Sequence, residues 1–248
     1  NKLITNFNEN NQSLKYNMVL CHEDINYSLK FKNSNNILFK KFSIDNTFKY
    51  LDIDRKYDFI YVAQAVQKSK NHQLLFDFIK YCDNNNLEIK IAYVSNKDIL
   101  QNNYYNYYEP KNKNTIVDFY NNLNPEELNY LYNQSKINLV LSHRDCVPRV
   151  IIESMSCGCY NLATDLLSDG KYYYKDNIGE LLSFNYAEVE SIESGMISYV
   201  SNPLIFKKIY SITKKNYDYK NISLESKKYS LKNTSNEILE YLIGTKKK

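Results

Sequence analysis

The 248-residue chain has no tryptophan, three histidines, five glycines and four prolines. It contains neither a G-x-x-x-x-G-K-[ST] nor a G-x-G-x-x-G loop, which excludes the two common glycine-rich phosphate cradles. No cluster of acids and histidines has metal-ligand spacing, and Cys157 and Cys159 lack the second ligand pair of a structural zinc site. The five cysteines are odd in number and irregularly spaced, so they are expected to be reduced and structural. No run approaches the roughly 18 apolar residues of a membrane-spanning helix. With no signal-peptide pattern at the start, the expected setting is the cytoplasm. There is no internal repeat and no sustained heptad pattern. The chain opens at Asn1 rather than methionine, from which a longer, trimmed protein is expected.

What is present suits a globular fold. Hydrophobic residues make up 43%, enough to bury a sizeable core. The formal charge of +4 is spread along the whole length, whereas nucleic-acid binders concentrate their basic residues, so no nucleic-acid partner is expected. Lys246 to Lys248 reads as a solvated tail. The 25 tyrosines and the load of Asn, Lys and Ile reflect an AT-rich coding bias rather than chemistry.

From about Asp58 strands and helices alternate. FIYVAQA, LEIKIAYVS, TIVDF, INLVLS and YNLAT read as strands; HQLLFDFIKYC, NPEELNYLYNQS and VPRVIIESMSC read as helices. Asn124 suits an N-cap with Pro125 at the first helical position. A polar, Asn- and Tyr-rich loop covers residues 101 to 113. One doubly wound parallel sheet accounts for this order. Further on, AEVESIESGMISYV, NPLIFKKIYSITKK and SNEILEYLIG show helical spacing, so the chain is expected to close in helices. Before Asp58, NMVLC and NILFKKF read as short strands flanking a helix-like DINYSLKF, too little for an independent open-sheet domain.

The segment SHRDCVPRVIIESMSCG, Ser142 to Gly158, concentrates the chemistry. It follows the apolar strand INLVLS, and Pro148 suits the first turn of the helix behind it. The strand-to-helix junction lies at the carboxyl edge of an open sheet, where helix N–H groups favour an anion. Asp145 falls in the loop at the mouth, and Glu153 about two turns down the helix.

Four segments in order resemble the C-terminal, nucleotide-sugar-binding half of retaining GT-B glycosyltransferases of family 4, of the "glycosyl transferases group 1" type. They are FIYVAQAVQKSKNHQLLFDFI, VDFYNNLNPEELNYLYNQS, SHRDCVPRVIIESMSCG and CYNLATDLLSDGKYYYKDNIGELL, covering roughly residues 57 to 185. The resemblance implies a Rossmann-like doubly wound sheet, the donor-binding half of a GT-B fold, with C-terminal helices. It divides the chain into 1–56, the tail of an acceptor domain plus linker; 57–232, the nucleotide-sugar domain; and 233–248, a helix and basic tail.

The resemblance also implies roles. A nucleoside diphosphate leaving group gains charge as the glycosidic bond breaks, so it needs cations and aimed donors. The family uses an Arg and, six residues on, a Lys. Lys70 matches the lysine, while Gln64 stands at the arginine position and supplies no charge, leaving Lys68 or Arg144 to compensate. Glu153 matches the acid that holds the ribose hydroxyls, a fit for a vicinal diol. Asp145 matches the acid that touches the donor sugar, one methylene shorter than the family's Glu; its other use is an N-cap. Backbone N–H groups of Cys146 and Val147 face the diphosphate, although the family has Gly at Cys146. Ser142, Arg144 and Arg149 are further phosphate candidates. The base is held by main-chain groups of the turn at Asn121 and Asn122, with Tyr120 either stacking or in the core. His72 reads as capping or packing a helix, and His143 as a bystander in the loop; His22 carries no reading.

The expectation is therefore a retaining hexosyltransferase, with a UDP- or GDP-type sugar as donor, no metal or other cofactor, and a glycan, lipid or protein as acceptor. An N-terminal acceptor domain or a partner chain completes it, and peripheral membrane contact is compatible with lipid-linked acceptors. Two alternatives remain open. A non-catalytic nucleotide-sugar or interaction module keeps the fold with Gln64 and Cys146 in a degenerate site, and a nucleotide-sugar epimerase of GT-B architecture gives product from donor alone.

Overall fold

A computed structural model of the chain describes residues 18–21, 37–40, 44, 46–97, 106–142, 145, 148–167, 174, 178–183, 189–193, 196–199 and 203–244. In the first, second, ninth and tenth strands, at Lys68 and at 241–244, the backbone alone is described. The chain divides into two units, residues 47–226 and residues 1–46 with 227–248.

In the larger unit the apolar runs become strands β3 (Tyr57–Val62), β4 (Ile89–Ser95), β5 (Thr115–Asn121), β6 (Ser135–Val140), β7 (Tyr160–Thr164) and β8 (Gly179–Leu182). They form one sheet in the order β5-β4-β3-β6-β7-β8. Every pairing is parallel; Phe59, for example, lies level with Ile91 on one side and Ile137 on the other. The chain therefore starts in the middle, builds outward one way, returns and builds the other way. Between β3 and β6 lies the topological switch point, where loops leaving the carboxyl ends diverge and open a crevice.

Both faces are covered. Helix α1 (His72–Asn84) and helix α4 (Pro203–Ile212) bury Leu75, Phe76, Phe78, Phe206 and Ile209 with Phe59, Ile91, Ile137 and Leu139 on one face. On the other, α2 (Pro125–Asn133) sets Leu131 and Tyr132 with Ile60, Ala92 and Val94. The period-two alternation along β3 and β4 explains the division. Helix α2 begins as read: the Asn124 side chain accepts from the Glu127 N–H at 2.9 Å, and Glu127 returns the bond to the Asn124 N–H at 2.8 Å.

Helix α3 (Arg149–Ser156) ends abruptly for a local reason. Gly158 takes φ +84°, its N–H bonds the Met155 carbonyl, and the Cys159 N–H bonds that of Ser154, a Schellman stop. A side chain there would meet the Tyr219 carbonyl at 2.5 Å, because α5 (Tyr219–Ser226) packs against this corner. Arg55 staples the same corner. It donates to the carbonyls of Tyr132 (2.9 Å), Ser135 (2.7 Å) and Cys157 (2.9 Å), and its guanidinium lies 4.3 Å over the Tyr219 ring. Cys82, Cys157 and Cys159 are buried free thiols, and burial raises the pKa of each.

The structure corrects two expectations. Within the segment read as a helix, the described residues are strands: β9 (Val189–Glu193) and β10 (Met196–Tyr199) pair antiparallel. Gly195 splits that segment and Val, Ile and Tyr favour strands in its two halves, which outweighs the helical spacing. Pro148 is the N-cap of α3 with ψ 119°, not its first helical residue. The segment DINYSLKF lies outside the described residues. In the smaller unit β1 (Met18–Cys21) pairs parallel with β2 (Ile37–Lys40), and α6 (Leu231–Gly244) completes the closing helices. There Ile44 exchanges backbone bonds with Tyr229 and Leu231. No described helix is long and apolar enough to cross a membrane.

Arg55→Met removes the guanidinium donor from three carbonyls of a packed corner, with the weak Cys159 thiol donor remaining for those of Tyr132 and Ser135. Urea unfolding is expected to show a loss of about 3 kcal/mol; a change below about 1 kcal/mol contradicts the stapling role.

Candidate active site at the switch point

The crevice is a cleft of about 610 Å³ at the carboxyl edge. Gln64, Gln67 and Lys70 enter it from the loop after β3, Ser95 and Asn96 from the end of β4, and Asn122 with Leu123 from the end of β5. Asp145, Arg149 and Glu153 come from the loop after β6 and from α3. Four strand ends and helix α3 thus converge on one place, as the switch-point rule requires.

Lys70 and Asp145, on opposite sides of the switch point, form an ion pair in which the ammonium donates to Asp145 Oδ2. Their side chains are 21% and 19% exposed, so the pair faces the cleft from a partly buried position. Glu153, on the inner side of α3, is 12% exposed, with Arg149 Nε 3.8 Å from its Oε1 across one helical turn. Beneath it the buried Tyr132 phenol has its pKa raised by burial first and by the Glu153 charge second. Among the described residues lining the cleft, Lys70 and Arg149 balance Asp145 and Glu153, so its formal charge is zero.

The loop that carries Lys70 is held from below. The buried Tyr61 hydroxyl donates to the Lys70 carbonyl at 2.7 Å, and His72 Nε2 lies 3.0 Å from the Gln64 carbonyl. A carbonyl only accepts, so Nε2 carries the proton and Nδ1 accepts from the Tyr93 hydroxyl at 2.6 Å. Both ends of the Gln64–Lys70 segment are thereby fixed to the core. The His72 pKa is lowered to about 4 by burial foremost; the Lys70 charge adds to this and the bond to Gln64 opposes it.

Helix α3 is registered by a buried amide network. Asn138 Nδ2 donates to Ser154 Oγ at 3.0 Å and Asn161 Oδ1 at 2.8 Å, and Ser154 Oγ donates to the same Asn161 oxygen at 2.8 Å. Strands β6 and β7 are thus tied to the turn of α3 that presents Glu153 to the cleft. At the far end, Asn122 takes φ 53° and its N–H bonds the Ser95 carbonyl at 2.9 Å, closing the tips of β4 and β5 together.

Of the residues singled out in the sequence, Gln64, Lys70, Asn122, Asp145, Arg149 and Glu153 meet in the cleft. Ser142 is buried below it, its carbonyl accepting from Thr164. Asn121 ends β5 with an exposed side chain, and Tyr120 turns its hydroxyl to Tyr57 at 2.5 Å; neither lines the cleft. His72 packs, as read, one residue after the Asn71 cap. The Lys68 side chain and His22, His143, Arg144, Cys146 and Val147 lie outside the described residues. Gln67, Ser95, Asn96 and Leu123 were missed; their place at strand ends was the available signal. Among the described residues, no group of three or more His, Cys, Asp or Glu could hold a metal ion.

A family model described as glycosyl transferases group 1 matches residues 43–218. Comparison with curated proteins by sequence finds no match. Among solved structures, one of a GtfA/B complex is similar at 12% identity and TM-score 0.67, over 100% of this chain and 49% of that one. The pneumococcal O-GlcNAc transferase GtfA, solved with UDP and GlcNAc, is similar at 14% identity and TM-score 0.58, over 100% and 47%. TarM follows at 13% identity and TM-score 0.59, over 97% and 45%. The chain spans about half the length of these structures.

Because the unfolded histidine protonates near pH 6.5 and the folded His72 near pH 4, its contribution is fully present above pH 6.5 and is lost as pH falls toward 4. The loss amounts to roughly 3 kcal/mol. Urea unfolding of wild type and His72→Asn at pH 7 and pH 4.5 checks this: the variant should lack that part of the pH slope, and equal slopes contradict it.

Proposed function

Because the chain belongs to the glycosyl transferases group 1 family, we propose that the switch-point cleft binds a nucleoside-diphosphate sugar and that the chain is the donor half of a retaining, family 4 type glycosyltransferase. The observation that carries this reading is the set of Lys70, Asp145 and Glu153 converging on one crevice. In it the base reaches the tips of β4 and β5, where Leu123 and Leu128 offer apolar surface and Ser95, Asn96 and Asn122 offer polar groups. Ribose hydroxyls bond to the Glu153 carboxylate, whose two oxygens match a vicinal diol. The diphosphate takes the Lys70 ammonium with Arg149 at the rim, and the sugar lies against Asp145.

The reaction follows from these positions. The acceptor oxygen approaches the anomeric carbon from the side of the departing phosphate; the new carbon–oxygen bond forms as the carbon–phosphate-oxygen bond breaks, and the acceptor proton passes to the leaving phosphate. No protein nucleophile is needed, so orientation and charge stabilisation carry the acceleration. The acceptor site belongs to an N-terminal domain or to a partner chain, in keeping with the half-length overlap with the similar structures. UDP-sugars head the donor panel because the pneumococcal neighbour was solved with UDP.

One observation favours a second reading, a nucleotide-sugar-binding module without transfer. Gln64 lines the cleft without charge, and the described lining is neutral overall. Release of product nucleotide with an acceptor-domain partner present separates the two readings.

Titration calorimetry with UDP-, GDP- and dTDP-sugars is expected to give micromolar binding to at least one. Glu153→Ala should weaken it at least about tenfold, about 1.4 kcal/mol. Absence of binding across the panel, or an unaffected Glu153→Ala, contradicts the donor site.

A further inference from the structure

We infer that Asp145 makes the cleft select sugar-bearing nucleotides over the free nucleoside diphosphate, by holding Lys70 until a ligand supplies a replacement partner for the Asp145 carboxylate. The inference rests on the donor reading above and adds a role to Asp145 that contact with the sugar does not by itself contain.

The inner cation of the cleft, Lys70, is engaged by Asp145, and both side chains are about four-fifths buried, at 21% and 19% exposure. A diphosphate must draw the ammonium from that carboxylate. Asp145 then stands partly buried, without its cation, beside a new anion, an arrangement disfavoured by lost pairing and by like-charge contact. A bound sugar changes the balance. Its hydroxyls donate to the carboxylate, which has about four lone-pair sites to fill, and the pairing lost with Lys70 is replaced.

Free nucleoside diphosphate offers no such donors. It leaves Asp145 exposed to the diphosphate with nothing in return, so it binds less well than the sugar nucleotide although it keeps the base, ribose and phosphate contacts. Asp145 thereby also assists departure of spent nucleotide after the sugar has gone, because re-forming the ion pair takes Lys70 back. The neutral lining strengthens the effect: the second cation, Arg149, lies at the exposed rim beside Glu153, so no other described lining cation stands free of an acid to hold the diphosphate in place of Lys70.

The effect has a sign that a simple binding residue does not give. Replacing Asp145 by a neutral isostere frees Lys70 and removes the repulsion, so affinity for the free nucleotide rises. A variant with a damaged fold cannot gain affinity in this way.

Calorimetry of wild type and Asp145→Asn with UDP against UDP-glucose, and GDP against GDP-mannose, tests the inference, using whichever pair wild type binds. Wild type should prefer the sugar nucleotide by on the order of tenfold. Asp145→Asn should bind the free diphosphate on the order of tenfold more tightly, and the preference for the sugar nucleotide should disappear. Should Asp145→Asn fail to fold by circular dichroism, Asp145→Ser carries the same expectation. Unchanged or weaker diphosphate binding in the folded variant, or a wild type without preference, overturns the inference while leaving the donor reading intact. Failure of wild type to bind any nucleotide overturns both.

Discussion

The ion pair between Lys70 and Asp145 joins two loops that leave neighbouring strands in opposite directions, and the functional reading depends on that meeting. Only a sheet that begins in the middle brings them together. With β3 beside β6, the loop after the first strand of the unit and the loop after the fourth share one crevice, although 75 residues separate the two side chains. A partly buried cation and anion at such a place are matched for a ligand that carries charge at one end and hydroxyls at the other.

The rest of the unit serves to keep those groups still. Tyr61, His72 and Tyr93 fix the loop of Lys70 through its carbonyls, leaving the ammonium free to exchange partners. Asn138, Ser154 and Asn161 fix α3 and with it Glu153. The Gly158 stop and the Arg55 staple fix where that helix ends. These are polar devices inside an apolar core, held largely by one another, although Asn138 Oδ1 is buried without a partner among the described residues. Preorganisation of this kind gives a binding site its orientation before the ligand arrives.

The sequence made the sheet legible because buried strands such as INLVLS and YNLAT are apolar runs bounded by caps and turns, and Asn124 with Glu127 announces a helix start chemically. It made the acids legible because their spacing along one loop and helix is local. The ion pair was not legible, since no local signal states which distant lysine a loop aspartate will meet. Nor was the work of His72: a lone histidine at a helix start reads as packing until Tyr61 and Tyr93 are seen around it. Asn138 looks like a blemish in a strand and is instead the centre of a network. The β9 and β10 pair escaped because apolar spacing over a short Gly-split segment fits two periods at once. Ser142, a small polar residue at a strand end that suits a ligand contact and simple packing equally, is buried.

A crystal structure of the chain with the sugar nucleotide it binds best tests the central claim most directly. The account predicts ribose hydroxyls on the Glu153 carboxylate, the diphosphate on Lys70, and Asp145 turned from Lys70 to the sugar. Nucleotide bound away from the β3–β6 crevice, or bound within it while Lys70 and Asp145 remain paired, would contradict it.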